Sequence, residues 1–293
     1  MNDIKPHITD DSPKIFSNML REKYGQDLLA VVLYGSWLRG RRDTVIDLYV
    51  ILDSYKPLKS RFGAALNHIV APNVYHMTTV HAGQKIATKY ATVTRAVFKK
   101  RISRDFHPYF WARFAQPSVL LYLRDQKMEL ELKELFRCAT KRLIRRTAPL
   151  LPSEFSTIDL WETAFGLTYR CELRSESENT PKILAAHMND ISPTLAIECS
   201  LKPAGENRWE SKTNQAKSLS RILWFSRIII GKVFCALRLF KALFTFDNPL
   251  DYLVWKIERH TGIKENPTEL QRKYPLLFSW PLLWRIFKRG GFR

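Results

Sequence analysis

The run from Leu33 to Leu52 constrains this chain more than any other stretch. An apolar strand, Leu28 to Tyr34, stops at Gly35-Ser36, and a second strand, Val45 to Leu52, carries a single acid, Asp47, among apolar neighbours. Glycine lets backbone N–H groups come close to a phosphate, and the Ser36 hydroxyl adds a donor at the positive end of a following helix. A carboxylate on the next strand is the kind of oxygen ligand a hard cation takes. The same pattern equally describes a tight turn before a helix, with an aspartate closing an edge strand. Position 49, on the same strand face as Asp47, holds Tyr49 rather than a second acid. Asp53 shares that face but lies roughly 20 Å along the strand, whereas paired metals in phosphoryl transfer sit only about 4 Å apart. A second carboxylate therefore has to come from another segment.

This layout resembles that of the polymerase-β-type nucleotidyltransferases. Three further stretches sharpen the likeness: Thr88-Lys89-Tyr90-Ala91-Thr92-Val93; Tyr109-Phe110-Trp111-Ala112-Arg113-Phe114-Ala115-Gln116-Pro117; and Leu150 to Leu160, running on through Gly166-Leu167-Thr168-Tyr169-Arg170-Cys171-Glu172-Leu173-Arg174. With the Tyr-Gly-Ser and Ile-Asp-Leu elements, in this order, they resemble the mitochondrial-type phosphatidate cytidylyltransferase family over roughly residues 28 to 190. That family also has one acid on its second strand. The resemblance implies a Mg²⁺-dependent enzyme that joins CTP to phosphatidate, giving CDP-diacylglycerol and pyrophosphate for phospholipid synthesis. It places Tyr34, Gly35 and Ser36 on the phosphate-holding turn, Asp47 on the metal-binding strand, and Glu172 as the second metal ligand. Lys89, Arg113 and Arg174 fall on the family's phosphate-neutralising cations, although each alone equally reads as a solvated surface charge.

Four glycines of the family pattern are replaced here, by Trp37, Ala91, Ala112 and Cys171. Each swap adds volume where backbone approaches something closely. Two other readings therefore stand beside the first. One keeps the nucleotidyltransferase core with a different lipid phosphate or an RNA acceptor. The other is an inactive relative that binds lipid or RNA, its aromatics Tyr109, Phe110 and Trp111 beside Arg113 imitating a single-strand groove.

The charge is placed unevenly. The chain of 293 residues carries a formal charge of +19, of which +11 falls in residues 211 to 293. A basic tail of this kind seeks phospholipid or nucleic acid. Cys138, Cys171, Cys199 and Cys235 lie far apart, and neither they nor the seven histidines show metal-ligand spacing, so a zinc site is not expected. The N-terminus has no apolar signal segment and carries Asp3, Asp10 and Asp11, which reads as a non-secreted, bacterial protein.

Within the tail, Ser218 to Phe246 reads as one helix. Ile222, Ile229, Val233, Ala236, Leu237, Phe240 and Phe244 share one arc, and no acid occurs between Glu210 and Asp247. The charges come too often for a bilayer span. A basic helix with a wide apolar face suits an anionic membrane interface, with Arg221, Trp224, Arg227, Lys232, Arg238 and Lys241 as its headgroup contacts. The tryptophans and cations between Tyr274 and Arg289 point the same way. A core helix is the alternative, because core helices are amphipathic too. The expected location is peripheral, on the cytoplasmic face of the inner membrane, with nucleic acid not expected as a partner.

The expected architecture is α+β. Residues 1–98 form a nucleotidyltransferase domain, 99–200 a helical domain completing the active site, and 211–293 a basic helical tail. Helices are expected at Pro13–Tyr24, Lys59–Val70 and Gln126–Arg146. A further helix is capped by Ser156, and Lys202 to Gln215 reads as a polar linker.

Overall fold

A computed structural model describes residues 11–42, 45–56, 70–173, 179–188, 191–211, 216–245, 254, 263, 265–273 and 278–289. The helix expected at Lys59–Val70 lies, apart from its last residue, outside the described residues. The fold is mixed α+β. Strands β1 (Leu28–Tyr34), β2 (Ile46–Leu52), β3 (Asn73–His81), β4 (Gln84–Thr94) and β5 (Val119–Leu123) form one sheet in the order β3-β4-β2-β1-β5. Strand β2 runs parallel to β4 and antiparallel to β1; the β1–β5 and β3–β4 pairs are antiparallel.

The apolar run of β1 is buried along its whole length because both sheet faces are covered. Helix α1 (Ser12–Tyr24) packs Phe16, Leu20 and Tyr24 onto Leu28, Val31, Leu33 and Leu48. On the other face lie α2 (Arg95–Arg104), α3 (Tyr109–Phe114) and α4 (Gln126–Thr147), which bring Phe98, Phe110, Phe114 and Phe136 onto Val32, Tyr49 and Ile51. Each such side chain contributes about 2 kcal/mol by leaving water. Alternation along β2 then decides the fate of Asp47. Ile46 and Leu48 face α1, so Asp47 and Tyr49 face the helical layer.

Strand β5 was not read from the sequence, since it falls in a stretch whose pattern reads as helical. After α4, Ser156 caps α5 (Thr157–Tyr169) in a reciprocal capping box with Asp159, as expected. Helices α6 (Thr180–Ala186) and α7 (Pro193–Glu198) follow. The segment read as a polar linker is largely a hairpin: β7 (Leu201–Gly205) and β8 (Arg208–Ser211) join β6 (Glu154–Ser156) in a small sheet ordered β6-β8-β7. Trp209 anchors this sheet, donating from Nε1 to Thr157 Oγ1 at 2.8 Å.

Helix α8 (Lys217–Thr245) matches the expected tail helix, but its orientation revises the roles given to its side chains. Trp224 is buried edge-to-face on Trp111 and donates to the Arg146 carbonyl. Arg227, also buried, donates to the Phe106 carbonyl, and Arg238 donates to that of Ala71. Lys241 is buried on the Val70 carbonyl at 2.8 Å. While docked on the body, none of these four lies on the outward face of the helix that would rest on a membrane surface. Arg221 and Lys232 remain exposed. The apolar arc, by contrast, faces outward, with Ile222 62% and Phe225 64% exposed and Ile229, Val233 and Leu237 beside them. The side chains of Phe240 and Phe244 lie outside the described residues. No described helix is long and apolar enough to cross a membrane. The short helices α9 (Glu269–Lys273) and α10 (Trp280–Lys288) complete the described chain.

Candidate active site

The Gly35-Ser36 turn forms where β1 runs out beside Asp47, its cross-strand partner being Tyr34. Gly35 has φ 87° and ψ −157°, a backbone region essentially restricted to glycine. A Cβ at residue 35 would lie 3.0 Å from Asp47 Oδ2, so the turn and the acid are in close apposition. The helix expected after the turn is only a single 3-10 turn, Ser36–Arg39. It is too short for a substantial dipole, and Arg39 at its end folds back to donate from Nη1 to the Gly35 carbonyl at 3.3 Å.

These residues open on a cavity of about 450 Å³. The end of β1 and the turn after it supply Tyr34, Gly35 and Ser36, and β2 supplies Asp47; α3 supplies Tyr109, Ala112 and Arg113; the residues just after α5 supply Cys171 and Glu172. Six sequence-predicted site residues, Tyr34, Gly35, Ser36, Asp47, Arg113 and Glu172, thus line one space. Arg113 organises the centre. Its Nη2 lies 3.5 Å from Glu172 Oε1, its Nη1 donates to the Tyr109 hydroxyl at 3.1 Å, and its guanidinium stacks on the Tyr34 and Tyr109 rings. Burial pushes the Tyr109 phenol up, but Arg113 and Arg238 outweigh it and bring its pKa below the usual tyrosine value. His107, which also lines the cavity, is pushed down to about 3 by burial and then by Arg238 and Arg101, so it is neutral at ordinary pH.

Lys89 sits beside Asp47 in the parallel β2–β4 register and is half-buried, but it is not among the residues lining the cavity. Arg174 lies outside the described residues.

The replaced glycines divide into two pairs. Trp37 is buried among the α1-face residues, with Arg42 over its ring, and Ala91 is a buried β4 residue paired with Tyr49. Neither lines the cavity. Ala112 and Cys171 do, and they narrow it. Burial holds the Cys171 thiol up at about 12, so it is an inert wall residue rather than a nucleophile. Tyr49 fills the place of a second strand acid with a ring packed against Tyr34, Phe98, Phe110 and Phe114.

The sequence reading missed Arg39 and Arg41, which also line the cavity, and two α8 residues that reach it, Gly231 and Arg238. The lone glycine inside a 29-residue helix was the available signal. A Cβ at 231 would lie 2.7 Å from Cys171 Cβ and 2.8 Å from its carbonyl oxygen, so α8 closes on the end of α5 at backbone distance.

Among the described residues no cluster of three or more histidine, cysteine or acidic side chains gathers to hold a metal ion. Two carboxylates, Asp47 and Glu172, line the same cavity, and carboxylate oxygens are the donor type that Mg²⁺ takes.

No family model and no curated protein matches the chain. Among solved structures it is similar to the crystal structure of a nucleotidyltransferase-like protein from Exiguobacterium sibiricum, at 12% identity over 95% of this chain and 91% of that one, with a TM-score of 0.27. A likeness this loose carries no argument about activity.

Proposed function

We propose that the protein is a polymerase-β-type nucleotidyltransferase that transfers a cytidylyl group from CTP to phosphatidate, giving CDP-diacylglycerol and pyrophosphate. The observation supporting this most directly is the convergence of the Gly35-Ser36 turn, Asp47, Arg113 and Glu172, from four separate segments, on one cavity. The turn N–H groups and Ser36, with Arg39 and Arg41 beside them, receive the triphosphate of the donor. Asp47 and Glu172 would hold Mg²⁺, which neutralises phosphate charge when bound. An acceptor phosphate oxygen attacks the α-phosphorus in line; that O–P bond forms as the bond to the pyrophosphate oxygen breaks. The acceptor is already ionised at neutral pH, so no general base is needed, in keeping with a cavity whose histidine, pushed down to about 3 by burial, is a weak base. What the chain contributes is positioning and a fixed positive field.

The outward apolar arc of α8 supports a peripheral membrane location. Exposed Arg221 and Lys232 accompany it, as do Trp280 and Trp284 on α10 with Lys288 against the Trp284 ring. The reading assigns this face to the cytoplasmic surface of a bacterial inner membrane. The narrowing by Ala112 and Cys171 favours, as a second reading, the same transfer to a different lipid phosphate.

Pyrophosphate release from CTP, with Mg²⁺ and vesicles containing phosphatidate, tests the proposal beside an Asp47→Asn control. Turnover that needs both phosphatidate and Asp47 is the expected result. CTP-dependent protection against heat without turnover would move the assignment to another acceptor. Silence in both would overturn the enzyme reading in favour of an inactive binding protein.

A further inference from the structure

The cavity holds a cation that the donor nucleotide does not account for. Arg238 comes from α8, more than two hundred positions after the Gly35-Ser36 turn, and reaches the cavity beside Tyr109. Its guanidinium lies 3.5 Å from the Tyr109 ring centroid, and its Nε donates to the Ala71 carbonyl at 3.3 Å. Among the described residues no carboxylate lies within ion-pair distance of it. Arg113, its neighbour on the Tyr109 ring, at least has Glu172. Across the cavity four arginines (39, 41, 113 and 238) stand against two acids, Asp47 and Glu172. Taking a guanidinium out of water costs several kcal/mol unless an anion and further hydrogen bonds compensate. One carbonyl, one ring face and the longer-range attraction of Asp105 offset only part of that.

The position of Arg238 is fixed rather than incidental. Gly231, two turns earlier on α8, packs its bare Cα onto Cys171, where any side chain would collide. Trp224 and Arg227 fasten the preceding turns through carbonyls of Arg146 and Phe106. The helix is thus held against the body along its basic face, and that face delivers one guanidinium into the cavity. Arg39 and Arg41 belong to the segment that forms the donor turn, whereas Arg238 and Arg113 share a tyrosine on the helical wall. Two cation groups on different walls match a reaction with two phosphate-bearing substrates.

We propose that Arg238, with Tyr109 and Arg113, forms the subsite that binds the phosphate monoester of the acceptor. This rests on the nucleotidyltransferase reading above. The guanidinium supplies donors suited to a phosphate dianion, and Tyr109 holds it in the stacked orientation. The subsite also gives α8 a double role, because the helix that walls the acceptor site carries the outward apolar arc on its opposite side.

The test is calorimetric binding to the full chain and to Arg238→Gln and Arg238→Lys, both first shown to unfold at the wild-type temperature. Three probes are used: CTP with Mg²⁺, dioctanoyl phosphatidate, and glycerol 3-phosphate. Dioctanoylglycerol, which has no phosphate, is the control. The expected result is that Arg238→Gln weakens the phosphatidate probe about ten- to a hundredfold, the usual range for losing a charged hydrogen-bond partner, while CTP binds as in wild type. Arg238→Lys should recover part of the loss. Wild-type binding of both phosphate probes points to the monoester alone as the recognised group; binding of the lipid probe only adds the acyl chains.

Loss of CTP affinity in Arg238→Gln, with acceptor binding unchanged, would overturn the assignment and give Arg238 to the donor. So would equal binding of the phosphatidate probe by wild type and variant, or no binding of it by wild type. If CTP still binds in those cases, the nucleotidyltransferase reading survives them. A wild-type chain that binds neither CTP nor any phosphate probe removes both.

Discussion

Gly35 and Asp47 are coupled across the β1–β2 pair: a single added carbon at residue 35 would sit 3.0 Å from the Asp47 carboxylate. The backbone of Gly35, at φ 87° and ψ −157°, is one that an L side chain adopts only under strain. Gly35→Ala therefore carries two penalties, strain of about 1–3 kcal/mol and displacement of the acid. The expected outcome is a modest fall in melting temperature with loss of CTP-dependent heat protection. Unchanged CTP protection in Gly35→Ala would show that the turn does not receive phosphate.

Tyr49 gives a sharper contrast. It occupies the second-acid position of the strand, inside a cage of aromatic rings. Tyr49→Phe keeps the ring and should change stability by less than about 1.5 kcal/mol, the range of volume-conserving core swaps. Tyr49→Asp, which restores the two-acid pattern on paper, buries a carboxylate in that cage. It should leave the protein largely unfolded, by several kcal/mol for an unpaired buried charge. Chemical denaturation of the two variants side by side decides it. A stable Tyr49→Asp chain would mean the cage is open to water or metal.

Much of this was legible in the sequence, for physical reasons that differ by element. Strand β1 and the capped start of α5 were readable because apolar runs and the Ser156–Asp159 spacing are local signals. That Asp47 and Glu172 line one cavity was implied only through family resemblance, since nothing local ties positions 125 residues apart. Helix α8 was readable as a helix but not in its rotation. Periodicity separates its two faces without saying which one meets the protein, and here the cationic face docks through backbone carbonyls. Strand β5 was missed because a five-residue edge strand between helices has no clear alternation of its own.

The outward face of α8 can be separated from its inward one by mutation. Phe225 and Ile229 are both exposed, so the double change Phe225→Ser and Ile229→Ser should leave the unfolding midpoint nearly unchanged. If a bilayer buries these two side chains, losing them costs about 3 kcal/mol, roughly a hundredfold in partitioning. Flotation with vesicles containing anionic lipid should therefore drop sharply for the double variant. Equal flotation of variant and wild type would remove this face from membrane contact.

Lys241 makes a prediction about pH. Burial, and then Arg238, bring its pKa from 10.5 down to about 7 in the folded protein. Between those values the unfolded chain holds a proton on this side chain that the folded chain does not. Stability attributable to Lys241 therefore rises as pH climbs from about 7 towards 10.5, and its full penalty is present below the folded pKa. Lys241→Met keeps the length of the stem, removes the charge and forfeits the hydrogen bond to Val70. Relative to wild type it should be at its best near pH 6 and lose that advantage by pH 10, a swing of up to a few kcal/mol. Melting curves of both proteins across that range read the difference directly. A constant offset would mean that Lys241 keeps its proton in the fold, with the Val70 carbonyl supporting an ammonium throughout.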